Sequence, residues 1–150
     1  MRKLNPIAIA VPVLLAASTA FAVTTNVPSN IQKGGYNDMT AQELTAAENS
    51  AHSARAAKDI SGIHEHLQAV VNCLVGPQGP GFVATTNDPC NHMGRGALMD
   101  VLQHSDESRL LNDALNSAKA GLASTSLDDA RAKAKETWSD IDNAQDAAKQ

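Results

Sequence analysis

The segment ISGIHEHLQAVVNCLV, residues 60–75, decides the fold. Ile60, Ile63, Leu67, Val70, Val71 and Leu74 recur at spacings of three and four. That pattern lays one apolar stripe along a helix and does not fit the alternation of a half-buried strand. Gly76 and Pro77 follow at once and end the helix.

Toward the amino terminus, Thr40-Ala41-Gln42-Glu43 has the spacing of a capping box, so a first helix is predicted from about Ala41 to Lys58. Its candidate core residues Leu44, Ala47, Ala51 and Ala54 centre about 160° away from the stripe of 60–74 when both are laid on one rod. A straight helix would then need cores on both sides; a break near Asp59 to Gly62 is the simpler arrangement, and a kinked continuous helix is the alternative, because Ala on nearly every face of the first helix blurs its phase.

In the other direction, residues 76–91 read GPQGPGFVATTNDPCN, crowded with residues that fix or free backbone torsions and without helical period. Five of the nine glycines, at 76, 79, 81, 94 and 96, lie in or just after this loop, and localised function is expected near it. A short helix from about Gly96 to Gln103 carries Leu98, Val101 and Leu102. Ser105 with Asp106 and Glu107 then has the chemistry of a helix start, anionic where the dipole is positive. Leu110, Leu111, Ala114, Leu115, Ala118 and Leu122 make its stripe, which Gly121 and Ser124 to Ser126 break. A last helix opens near Ser126 and repeats Leu127, Ala130, Ala134, Trp138, Ile141 and Ala148, its Trp face covering the bundle. No run alternates β-branched residues. The expected fold is all-α, a four-helix bundle over residues 39–150 with a long Gly/Pro-rich loop tethered by a disulfide.

At the start of the chain, Met1, Arg2 and Lys3 precede an apolar run from Ile7 to Ala17 and the small-x-small triplet Ala20-Phe21-Ala22. This is the pattern of a secretory signal over 1–22. The run falls short of the roughly 20 residues a bilayer core requires. Removing 22 residues, Arg2 and Lys3 among them, leaves 128 residues of net charge −6, expected in the periplasm or secreted and without a membrane span. Residues 23–38, rich in Thr, Asn, Pro and Gly, read as a flexible leader.

The whole chain has 150 residues, of which 26 are Ala and only 4 aromatic, so its core must draw large contacts from a few Leu, Ile and Val. Its 12 basic side chains against 16 acidic ones give a net charge of −4 with no long basic block, which argues against nucleic acid as a partner.

Cys73 and Cys90 stand 17 positions apart in a chain that enters an oxidising compartment, where a disulfide is the default. Closing that loop is worth on the order of 3 kcal/mol in the chain-entropy model. A thiolate metal site is the competing arrangement, with His92 two residues after Cys90 and His66 about 20° around the helix from Cys73.

The histidines are His52, His64, His66, His92 and His104. His64 and His66 lie about 160° apart on a regular helix and cannot chelate one ion there. If the chain folds back at 59–62, His52 and His66 face each other across two helices and form the candidate metal pair, with His64 and His92 as supplements. Otherwise such border histidines are solvated or bonded to a carbonyl. Met93 and Met99, soft ligands beside His92, read as core filling rather than copper ligands. The zinc-protease helix motif, the lysine of a phosphate-binding loop and the haem attachment motif are all missing, and no acid, base and nucleophile can be grouped. The chain therefore reads as no enzyme.

Across Ala47 to Leu74, His52, Ala54, Ala57, Gly62 and His66 are spaced along Ala-rich helix, and this stretch resembles the small periplasmic His-rich metal-binding helical bundles. The resemblance covers about a fifth of the chain and implies an exported bundle holding divalent transition metals such as copper or nickel through His52, His64 and His66; zinc is a further candidate ion. The chain departs from that family in its few histidines, its two cysteines and its GPQGPG loop. Two functions are expected in competition: sequestration of a transition metal ion through His52, His64, His66 and His92, or docking of another envelope protein by the stapled loop through Phe82 and Val83.

Overall fold

The computed structural model describes residues 38–86, 88–101 and 105–149. The export signal expected over 1–22, all but the last residue of the leader expected over 23–38, and His104 lie outside the described residues. The described residues form five helices and no strand: α1 Asp38–Ala56, α2 Ile60–Val75, α3 Ala97–Asp100, α4 Asp106–Ala123 and α5 Leu127–Ala147. No helix among them is long and apolar enough to cross a membrane.

The chain does break between α1 and α2, but over residues 57–59, so only Asp59 of the expected stretch lies in the break and Ser61 and Gly62 already belong to α2. Asp59 takes extended backbone and its carboxylate accepts the Gly62 N–H at 2.8 Å, satisfying an orphan donor of the new helix. The two faces then meet. Leu44, Ala47, Ala51 and Ala54 of α1 are buried with Ile63, Leu67, Val70, Val71 and Leu74 of α2. Leu111, Ala114, Leu115 and Ala118 of α4 and Ala130, Ala134 and Ile141 of α5 complete the same core. So many core positions are alanine that the helices must approach closely for each small side chain to find neighbours. Gly121 shows how closely: a Cβ built there would lie 2.5 Å from Leu67 Cδ1 and 3.1 Å from Lys133 Cβ. Gly121 therefore lies inside α4 and does not break it; the chain turns only at Ser124, two residues before Ser126 caps α5.

Two other expectations are corrected. The Thr40-to-Glu43 spacing is not a capping box: α1 begins at Asp38, and the Glu43 carboxylate accepts a hydrogen bond from Gly96 N–H, 53 residues away, instead of folding back on its own helix. Ser105 and Ser126, by contrast, cap α4 and α5 as expected, accepting from the N–H groups of Ser108 and Asp129. The short helix α3 stops at Asp100, and its core contribution is Ala97, with Leu98 partly buried beside it.

Long cross-links tie the helices at their ends. His64 Nε2 lies 3.1 Å from the Ser124 carbonyl, which can only accept, so that nitrogen carries the proton. Arg131 donates to the Ala57 carbonyl at 3.0 Å, and Gln145 to the Glu48 carboxylate at 3.0 Å.

Candidate functional site

Residues 76–96 carry the non-helical chemistry, and α2 supplies what holds them. Gly76 closes α2, its N–H donating to the Asn72 carbonyl at 2.8 Å, and its φ of +68° turns the chain away from the helix axis. Gly79 N–H then donates to the Gly76 carbonyl at 3.0 Å and Phe82 N–H to the Gly79 carbonyl at 3.2 Å, giving two successive turns.

From there the chain runs back alongside α2, and two amides receive it. Gln68 Nε2 donates to the Gly81 carbonyl at 2.9 Å. Asn72, buried to 1% exposure, donates from Nδ2 to the Val83 carbonyl at 2.8 Å and accepts the Val83 N–H on Oδ1 at 3.1 Å. Nδ2 also donates to Asp88 at 3.1 Å, and Oδ1 accepts from Gln68 at 3.0 Å. All the hydrogen-bonding capacity of this amide is used, two donors and two lone pairs. Asn72 thus imitates a neighbouring strand for one residue of loop, which is how an irregular segment satisfies backbone groups that a helix side would otherwise leave dry.

Five residues beyond, Asp88 accepts the Cys90 N–H at 3.0 Å, and Cys90 is joined to Cys73 with 5.2 Å between the two Cα atoms, an ordinary disulfide separation. Both cysteines are bridged, so the thiolate metal arrangement has no thiolate. Cys90 Sγ also sits 3.8 Å from the Glu43 carbonyl oxygen; a bridged sulfur has no proton to give, and the contact is packing.

The far end of the segment is fixed by Glu43. Its Oε1 accepts the Gly96 N–H at 3.1 Å, and its Oε2 is buried with no hydrogen-bond partner among the described residues. Burial pushes this carboxyl above its ordinary range; the Gly96 N–H pulls the other way, and the Asp100 charge pushes it up further. Asp100 itself is held by Arg95 at 2.7 Å.

What the clamped segment presents to the outside is Val83, 51% exposed, and beyond its end in α3 Met99, 58% exposed. Met99 with Val75, Pro77, Pro80, Gly94 and Arg95 lines a groove of about 450 Å³. Phe82 and Val83 do not share a face. Phe82 packs on the core and Val83 faces away from it, as successive residues of extended backbone do. Met93 is partly buried against the core as expected, whereas Met99 is a surface residue.

No protein-family model, no curated protein and no solved structure matches this chain.

The histidines are dispersed. His52 lines a groove with Arg55, Arg131 and Lys135, while His66 lines a different one with Asn49, Ser53, Glu65 and Thr85. His64 is engaged with Ser124, and His92 is exposed on a backbone turn of φ +69°. Among the described residues no three of His, Cys, Asp and Glu gather as a metal site.

Sequence reasoning missed Gln68 and Asn72, and read Glu43 as half of a capping box rather than as the partner of Gly96. The available signal for Asn72 was its place in the otherwise unbroken apolar run AVVNCLV: a polar amide there must find partners, and the only unassigned polar backbone nearby is the loop.

Proposed function

We propose that this is an exported, non-catalytic binding protein, a four-helix bundle made of α1, α2, α4 and α5 whose Gly/Pro-rich segment 76–96 docks a protein partner of the cell envelope. The observation that carries the reading is Asn72: a fully bonded buried amide, a disulfide and a buried carboxylate together hold a segment that contributes little to the core. Loops built only to connect helices are short and need no such fixation, whereas a binding loop gains affinity by being ordered beforehand. Exposed Val83 and Met99 supply apolar contact, and Arg95 and the prolines beside them shape the surface.

Site-specific photo-crosslinking tests it. The oxidised protein carries a benzophenone side chain at position 83, or at exposed position 120 as a control, and is irradiated with the envelope fraction of its own source. A discrete adduct from position 83, missing from position 120 and lost in the Cys73→Ala/Cys90→Ala variant, is expected. Identical adducts from both positions, or none from position 83, overturn the proposal.

Metal sequestration is the second reading, favoured by His66 and Glu65 sharing one groove. Calorimetry with copper, nickel and zinc decides it. Saturable heat that disappears in a Glu65→Ala/His66→Ala variant supports it, and no heat above buffer removes it.

A further inference from the structure

We infer that the groove between α1 and α5 is an anion site that takes the dianionic phosphoryl group of a phosphate monoester. His52, Arg55 and Ala56 form one wall; Asp128, Arg131, Ala132 and Lys135 form the other, and the groove measures about 460 Å³. Three permanent cations therefore face one carboxylate in a chain whose net charge is −4.

The charges are not mutually consumed. Elsewhere Arg95, Arg109, Lys133 and Lys149 are each paired with a carboxylate. Arg55 and Lys135 enter no ion pair among the described residues. Arg131 meets Asp128 only at 3.8 Å, and that carboxylate is almost wholly solvated, so it neutralises the groove weakly.

Two of the cations are also held in place before any ligand arrives. The Arg55 guanidinium lies over the Trp138 ring, 4.5 Å from its centroid, which removes much of the freedom of a long side chain. Arg131 is fixed by its bond to the Ala57 carbonyl, which occupies one edge of the guanidinium. A planar guanidinium held in place beforehand suits the geometry of phosphate oxygens.

Charge and size narrow the ligand. The surplus of two positive charges matches a phosphate monoester, which carries about −1.5 to −2 at neutral pH, better than it matches a single carboxylate. The volume exceeds what the phosphoryl group alone requires, and Ala56 and Ala132 offer apolar floor to an organic remainder. The same chemistry belongs to a small free phosphomonoester and to a lipid headgroup with a terminal phosphate.

Trp138 is the only tryptophan in the chain and lies under Arg55, so its emission reports events in the groove. The oxidised protein is titrated with glycerol 3-phosphate, and separately with phosphatidylcholine vesicles with and without phosphatidic acid, with calorimetry alongside. A saturable response to either probe is expected, weakened at least about tenfold by Lys135→Gln and by Arg55→Gln and unchanged by Lys119→Gln, which removes a cation outside this groove. A response to glycerol 3-phosphate identifies a free ligand, and one confined to phosphatidic acid vesicles identifies a headgroup. Lys135 is exposed, so its variant tests the site without disturbing the fold. No saturable response up to about 10 mM, equal affinity for acetate at matched ionic strength, or unchanged affinity in both groove variants overturns the inference.

Discussion

Gly76 and Gly96 meet backbone to backbone, and each stands where the other leaves no room for a side chain. A Cβ on Gly76 would lie 2.6 Å from Gly96 N and closer still to the Arg95 carbonyl, and one on Gly96 would overlap Gly76 N and Val75 C. Both residues have positive φ, +68° and +101°. This contact closes the 76–96 segment into a ring, with α2 at one end and Glu43 at the other.

Replacing either of these glycines by Ala is expected to cost at least about 3 kcal/mol, from the strained backbone conformation together with the displacement of a packed main chain. Gly81→Ala provides the comparison: its φ is +99°, but its Cβ would meet only the side chains of Lys119 and Val71, at 3.2 Å and 3.5 Å. It should cost only about 1–2 kcal/mol. Urea denaturation of the oxidised variants measures both, and equal losses at 76 and 81 would show that the contact carries no energy.

Removing the disulfide should destabilise the protein by about 3 kcal/mol. The Cys73→Ala/Cys90→Ala variant and the reduced wild type should fall together in midpoint, because in each the unfolded chain regains the freedom of the loop. A double variant as stable as the oxidised protein would contradict this.

Asn72→Ala removes both bonds to Val83, whose backbone groups are part-buried, and the bond to Asp88, at a cost of about 1–3 kcal/mol. Asn72→Asp should cost more, since a carboxylate cannot donate to the Val83 carbonyl and would face Asp88. In both variants limited proteolysis should begin within residues 81–88 while the helices survive. Cleavage starting in a helix would show that Asn72 serves the core instead.

Glu43 sets a pH dependence whose sign is opposite to that of a salt-bridged acid. Burial raises its folded-state pKa above the ordinary value of 4.5, so the folded state holds the proton more tightly than the unfolded chain. Stability from this group is present below the ordinary pKa and is lost as pH rises through the raised one. Asp140, raised by burial and by the charges of Asp113 and Glu136, acts in the same direction. The difference in unfolding free energy between wild type and Glu43→Gln should therefore fall as pH climbs through that window. A difference that stays flat or rises would mean the carboxylate is better solvated than its burial implies.

The long helices were legible because periodicity is a local property of the chain, and the disulfide because the chain has only two cysteines to pair. Stripe phase pointed to a break near Asp59, but alanine on most faces of α1 blurred that phase and left a kinked continuous helix as an alternative. Glu43 was misread for a physical reason: the capping-box spacing is met by any Thr and Glu three apart, and the donor that claims this carboxylate, Gly96, arrives only when the loop folds over. The loop had no period, so nothing in it distinguished inward Phe82 from outward Val83. The histidines looked adjacent on the assumption that both faced the α1–α2 interface. They lie in different grooves along α1: His52 in the one between α1 and α5, and His66 in the one that α1 makes with α2 and the loop.

Amide hydrogen exchange at Val83 and Gly96 reaches the central claim most directly, that α2 and Glu43 hold the irregular segment rigid. In the oxidised protein both amides, bonded to Asn72 Oδ1 and Glu43 Oε1, should exchange at least about 100-fold more slowly than in an unstructured peptide, and the Val83 protection should vanish in Asn72→Ala. Exchange of Val83 and Gly96 at peptide rates in the oxidised wild type would contradict it.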